Sequence, residues 1–126
     1  VHWHHFSIRC ANIFRSIAFY EQLGFEVEVR FSAGIALACW LQGSGGRLEL
    51  LQVPDPQEPP DSFGDPHYVG YYHVALQVDN LEKMLASLTG TTLLLPPKEQ
   101  WIGAKAYRIA FIADPDGLPI ELIEER

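Results

Sequence analysis

A chain of 126 residues, 48% hydrophobic and 20% charged, has the make-up of one compact domain or two small halves sharing a core, not of a disordered segment. Its formal net charge of −7 excludes a nucleic-acid partner, which needs a basic face, and docking on anionic membranes. No apolar run approaches the roughly 20 residues that span a bilayer.

In chain order, residues 4–10 alternate and predict a strand. Asn12 is placed to cap a helix, whose apolar stripe is read as Ile13, Phe14, Ile17 and Leu23, with Gly24 as the left-handed residue that ends it. Strands are expected over 25–31, 35–41 and 46–53, the last two joined by Gly43-Ser44-Gly45-Gly46. Residues 54–66 hold Pro54, Pro56, Pro59, Pro60 and Pro66, which excludes a helix or central strand there. A strand over 72–78 follows, then a helix capped by Asn80, with Leu81, Met84, Leu85 and Leu88 inward and Gly90 at its end. The remaining strands are expected at 91–95, 105–113 and 118–124, the last pair linked by Asp114-Pro115-Asp116-Gly117.

The two halves of this list have the same grammar, and residues match as well as elements. His5, Ile8, Asn12 and Ile13 correspond to His73, Leu76, Asn80 and Leu81, and Leu48-Glu49-Leu50-Leu51 corresponds to Ile120-Glu121-Leu122-Ile123. The expected organisation is an α+β fold of two βαβββ modules, 1–53 and 70–126, joined by a Pro-rich linker at 54–69, with the curved mixed sheets around a metal cleft.

Strand parity selects the residues that carry chemistry. Side chains alternate across a strand, so Phe6, Ile8 and Cys10 face the helix while His5, Ser7 and Arg9 face away. By the same rule Glu49, His73 and Glu121 leave the helix side, flanked by inward Leu48, Leu50, Val74, Ile120 and Leu122. Each module thus offers one imidazole and one carboxylate on its polar face. Singly these are ordinary surface residues; recurring at matched positions, they predict ligands of one divalent ion of the Ni, Zn, Co, Mn or Fe group.

The run from His5 to Tyr20, followed by Leu23-Gly24-Phe25, resembles the opening of a vicinal-oxygen-chelate protein. Ile109 to Gly117 followed by Ile120-Glu121-Leu122-Ile123-Glu124 resembles that family's closing strands. Within this glyoxalase, bleomycin-resistance and dioxygenase superfamily, the His, Glu, His, Glu set is most similar to short bacterial glyoxalase I, lactoylglutathione lyase. The resemblance implies a metal-dependent lyase or isomerase acting through an enediolate on the hemithioacetal of a 2-oxoaldehyde. It implies one divalent ion per site, Ni2+ ahead of Zn2+, Co2+ or Mn2+, glutathione as a co-substrate, and a homodimer. Glu121 is the first choice as catalytic base and Glu49 the second; Arg9 matches a residue used near glutathione. Trp101, with Ile102 and Gly103, falls where the family closes a loop over substrate. The chain departs from the family where Leu50-Leu51-Gln52-Val53-Pro54 replaces an Asn-Trp element that contacts glutathione, which weakens the case for that thiol more than for the metal. The alternatives are a dioxygenase or isomerase on another vicinal-dioxygen substrate, and a non-catalytic small-molecule-binding protein of the same fold.

The other candidates have plainer readings. His2, His4 and His67 are expected on the surface, and Phe19, Tyr20, Trp40, Tyr71 and Tyr72 in the core or an interface. Cys10 and Cys39 lie in apolar runs without CxxC spacing, as reduced thiols of a cytoplasmic protein do. Val1-His2-Trp3-His4-His5 has neither the basic nor the apolar region of a secretory signal.

Overall fold

The computed structural model describes every residue from Val1 to Arg126. The chain divides into two compact units, Val1–Glu58 and Pro59–Arg126. The first contains β1 (Phe6–Cys10), α1 (Ile13–Gln22), β2 (Glu26–Ala33), β3 (Ala36–Gly43) and β4 (Gly46–Gln52). The second contains β5 (Val74–Gln77), α2 (Leu81–Ser87), β6 (Thr92–Ile102), β7 (Lys105–Ala113) and β8 (Pro119–Glu125).

Each unit is a four-stranded mixed sheet, ordered β1-β4-β3-β2 in the first and β5-β8-β7-β6 in the second. These are the same order under the duplication. In each, the first strand runs parallel to the last, and the other pairs are antiparallel. This is the α+β architecture of paired βαβββ modules. Helix α1 packs on β2, β3 and β4, and α2 on β7 and β8.

The helices begin where the sequence places their caps. Asn12 and Asn80 are extended, and their side chains accept from Arg15 N and Lys83 N, satisfying donors that a first helical turn leaves unpaired. Gly24 takes up φ 97° after α1, a conformation that costs a side chain steric strain. The buried face of α1 is Ile13, Ser16, Ile17, Phe19 and Tyr20, whereas Phe14 is exposed. The expected stripe was therefore rotated: Ile13, Ser16, Ile17 and Tyr20 follow the i, i+3, i+4, i+7 rule, and the polar Ser16 at a core position disguised it.

The strand edges also differ from expectation. β1 and β5 start at Phe6 and Val74, so His5 and His73 lie immediately before their strands. β6 runs well past 91–95, through Pro96 and Pro97, to Ile102. It is an edge strand, and its pairing with β7 shifts register between Leu95 and Lys98. A proline that cannot donate to a ladder is tolerated at such an edge irregularity. Trp101 is consequently a strand residue opposite Ala106, not a loop residue, and Gly103 forms the turn that follows.

The core of the first unit is built from Ile8, Cys10, Leu41, Leu48, Leu50 and the inner face of α1; that of the second from Leu81, Ile109, Ala110, Ile112, Ile120 and Leu122. The Pro-rich stretch has no helix or strand. It still packs: the Phe63 ring lies 5.1 Å from that of Phe111, and Ser62 Oγ donates to the Tyr72 carbonyl.

Candidate metal centre

Register sets the polar face of each sheet. In the first unit Ser7, Glu49 and Trp40 align across β1, β4 and β3. In the second unit Ala75, Glu121 and Phe111 align across β5, β8 and β7. Residues aligned in register share a face, so both glutamates emerge opposite their helices. Their neighbours Leu48, Leu50, Ile120 and Leu122 are buried on the helix side.

Each glutamate meets the histidine of its own unit. His5 Nε2 lies 3.7 Å from Glu49 Oε1, and His73 Nε2 lies 3.8 Å from Glu121 Oε1. All four side chains are partly covered, the carboxylates more than the imidazoles. Such separations are long for a hydrogen bond. Two bonds of about 2.0–2.2 Å to one ion hold their donors about 3.0–3.5 Å apart at octahedral or tetrahedral angles, so each pair would close by a few tenths of an ångström to share an ion. His73 Nδ1 is buried without a partner, and a neutral imidazole with a carboxylate is a donor set that Ni, Zn, Co and Mn accept. Within either unit no third His, Cys, Asp or Glu completes a cluster.

The surroundings of the two pairs differ. Glu49 Oε1 accepts from Ser7 Oγ at 2.8 Å and Glu49 Oε2 from Trp40 Nε1 at 2.9 Å. The Trp40 hydrogen bond, helped by that of Ser7 and by His5 and His4, holds the Glu49 carboxyl below its usual range, with burial opposing them. The corresponding Ala75 and Phe111 offer Glu121 no side-chain donor. His73 is instead packed edge-on against Phe111 and Tyr72.

His4, expected to be a plain surface residue, touches the first pair. Its Nδ1 is 2.7 Å from His5 Nδ1. When His5 donates in that contact, its Nε2 lone pair is left toward Glu49, the tautomer a metal ligand needs. Arg47 lies 4.7 Å above the Trp40 ring and forms a two-pronged pair with Glu28 at 2.8 and 3.0 Å, which steadies the indole from its outer side.

Trp40 is thus more than core: it is half-buried and bonded to Glu49. Neither it nor Ser7 was picked out from the sequence, although Ser7 has the strand parity of His5. Arg9 is exposed on the Ser7 face, opposite Leu51. Trp101 is exposed near the end of the β6–β7 hairpin. The structure joins neither of them to a His–Glu pair. His2 and His67 are exposed, as expected.

Comparison with known proteins agrees with this fold. Residues 2–122 match the Glyoxalase/Bleomycin resistance protein/Dioxygenase superfamily. The uncharacterized protein YwkD of Bacillus subtilis is 35% identical, over 97% of this chain and 95% of its own length. Among solved structures, a glyoxalase family protein from Enterococcus faecalis superposes with a TM-score of 0.77 at 29% identity, covering 98% of this chain and 97% of its own. Another, from Bacillus cereus, has a TM-score of 0.79 at 22% identity, covering 97% and 92%, and speaks for the fold. Duplicated βαβββ units, a His and a Glu at matched positions of each, and a family match along nearly the whole chain lead to one conclusion: the protein belongs to the Glyoxalase/Bleomycin resistance protein/Dioxygenase superfamily.

Proposed function

We propose that the protein is a metal-dependent lyase of the glyoxalase I type, with His5, Glu49, His73 and Glu121 as the ligands of one divalent ion. The observation that supports this reading is the repetition of the His–Glu pair, at 3.7 Å and 3.8 Å, in the same position of both units. Two such pairs, from one chain or from two copies in a homodimer, make four ligands. Ni2+ is favoured, ahead of Zn2+, Co2+ and Mn2+.

When bound, the ion supplies Lewis-acid stabilisation of the charge that builds on two adjacent substrate oxygens. The protein's own part is proton transfer. In the hemithioacetal of a 2-oxoaldehyde, Glu121 takes the proton from the carbon bearing sulfur. The C–H electron pair moves into the bond between the two carbons, and the neighbouring carbonyl oxygen takes up the charge. The proton returns to that neighbouring carbon, the hydroxyl on the sulfur-bearing carbon gives up its proton to the neighbouring oxygen and becomes a carbonyl, and the product is the thioester of a 2-hydroxy acid. Atoms and electrons balance within the substrate, so the step is an isomerisation and needs no oxidant.

His5 and His73 act as neutral donors. On this reading Arg9, exposed on the Ser7 face, binds a carboxylate on the thiol portion, for which glutathione is a candidate, and Trp101 contacts substrate. The two cysteines, buried and not joined in a disulfide, fit a cytoplasmic setting.

The test is elemental analysis of the purified protein, followed by assay with methylglyoxal and a panel of thiols that includes glutathione. A divalent ion together with thiol-dependent loss of methylglyoxal is expected. Iron-dependent oxygen uptake without thiol-dependent turnover replaces this reading with that of a dioxygenase.

A further inference from the structure

The two half-sites are built on one plan but differ in what holds the carboxylate. Both oxygens of Glu49 are engaged, one by the Ser7 hydroxyl and one by the Trp40 indole. The hydroxyl and indole sit in register with Glu49 on neighbouring strands, to either side of it. At the matching register positions beside Glu121 stand Ala75 and Phe111, which have the bulk of a small and an aromatic side chain but no donor. At the two register positions beside the carboxylate, the difference in donors is one O–H and one N–H.

A carboxylate fixed at both oxygens has its rotamer chosen in advance and pays little ordering entropy on taking an ion. One without such bonds keeps freedom about its terminal torsion. A base that must leave an ion to accept a proton needs that freedom; a permanent ligand does not.

Resting on the metal-centre reading above, we infer that Ser7 and Trp40 are positioning residues that fix Glu49 as the anchored ligand. Glu121, by the same difference, is the carboxylate left free to move. The two half-sites differ at these two register positions, and the roles of the two acids follow from that difference.

The inference is tested with the intact protein by converting the first half-site into the second, Ser7→Ala with Trp40→Phe, and titrating Ni2+ against a chromophoric chelator. The expected result is a Kd for Ni2+ weaker by about tenfold or more, the usual effect of removing a ligand's hydrogen-bond partner. Infrared spectra of the metal-free protein give a readout that mere loosening does not move. The carboxylate band lost in Glu49→Gln shifts on removal of the two donors, while the band lost in Glu121→Gln stays in place. Trp40→Phe alone, which keeps the aromatic packing, serves if the double variant does not fold, with a smaller change in the same direction. Unchanged Kd and an unmoved Glu49 band overturn this inference and leave the metal centre standing. Binding of none of Ni2+, Zn2+, Co2+ and Mn2+ by the unmodified protein overturns both.

Discussion

Gln52 caps the helix that begins at Ile13: its side-chain Oε1 accepts from the Ile13 backbone N–H at 2.9 Å. Glu124 does the same for Leu81 at 2.7 Å. In each unit, then, the strand that supplies the glutamate also ties down the helix start, beside the Asn12 or Asn80 cap. Asn12→Ala and Asn80→Ala should each lower stability by about 1 kcal/mol. Gln52→Ala should cost a similar amount by unpairing a partly buried N–H. Urea unfolding checks all three; no change in midpoint would show that the caps are solvent-replaceable.

Leu50 and Leu122 are 0% exposed and lie between sheet and helix in their respective units. Each flanks a glutamate on the opposite face. Truncation to alanine leaves a cavity and should cost about 2–5 kcal/mol, measured by denaturant midpoint. A loss below about 1 kcal/mol at either position would contradict the packing described.

The Arg47–Glu28 pair predicts an acid-range effect. Hydrogen bonds from Arg47 hold the Glu28 carboxyl below its ordinary value. A lowered folded-state pKa contributes stability that is complete above the unfolded value, about 4.3. It is lost as pH falls through the lower folded-state value. Both side chains are partly exposed, so the effect is small. In Arg47→Met the Glu28 titration followed by carbon-13 NMR should move up toward that of free glutamate, and the stability difference from the parent should vanish at the acid end. A Glu28 midpoint that does not move excludes Arg47 as the cause.

Glu121→Gln should lower kcat by about 10²–10⁴-fold, the range for loss of a positioned base, while Ni2+ still raises the melting temperature. At a metal concentration 100 times Kd, that stabilisation is about 2.7 kcal/mol. Calorimetry with and without a chelator measures it. Full turnover in Glu121→Gln moves the base elsewhere.

Much of this arrangement was legible in the amino-acid order because it is repeated. A single His and a single Glu on strands carry little information, but His5 with Glu49 and His73 with Glu121, in matched surroundings, identified both strand faces and the fold. Pattern failed where a local rule was broken for tertiary reasons. Ser16 fills a core position that periodicity assigns to an apolar residue, and Pro96 and Pro97 sit inside an edge strand because a register shift absorbs them. The donors to Glu49 were missed for another reason. Trp40 has the profile of any core aromatic, and only strand register shows its indole N–H aimed at a carboxylate.

In both units the histidine precedes the first strand and the glutamate sits on the last, and those two strands are neighbours running in the same direction. The His–Glu pair therefore comes together only after the intervening helix and two strands have been laid down. On the proposed reading, an ion bridging it would act as a clasp on the whole loop of chain, rewarding complete closure and nothing short of it. A nick or truncation anywhere along that loop should cost metal affinity even where no ligand is touched.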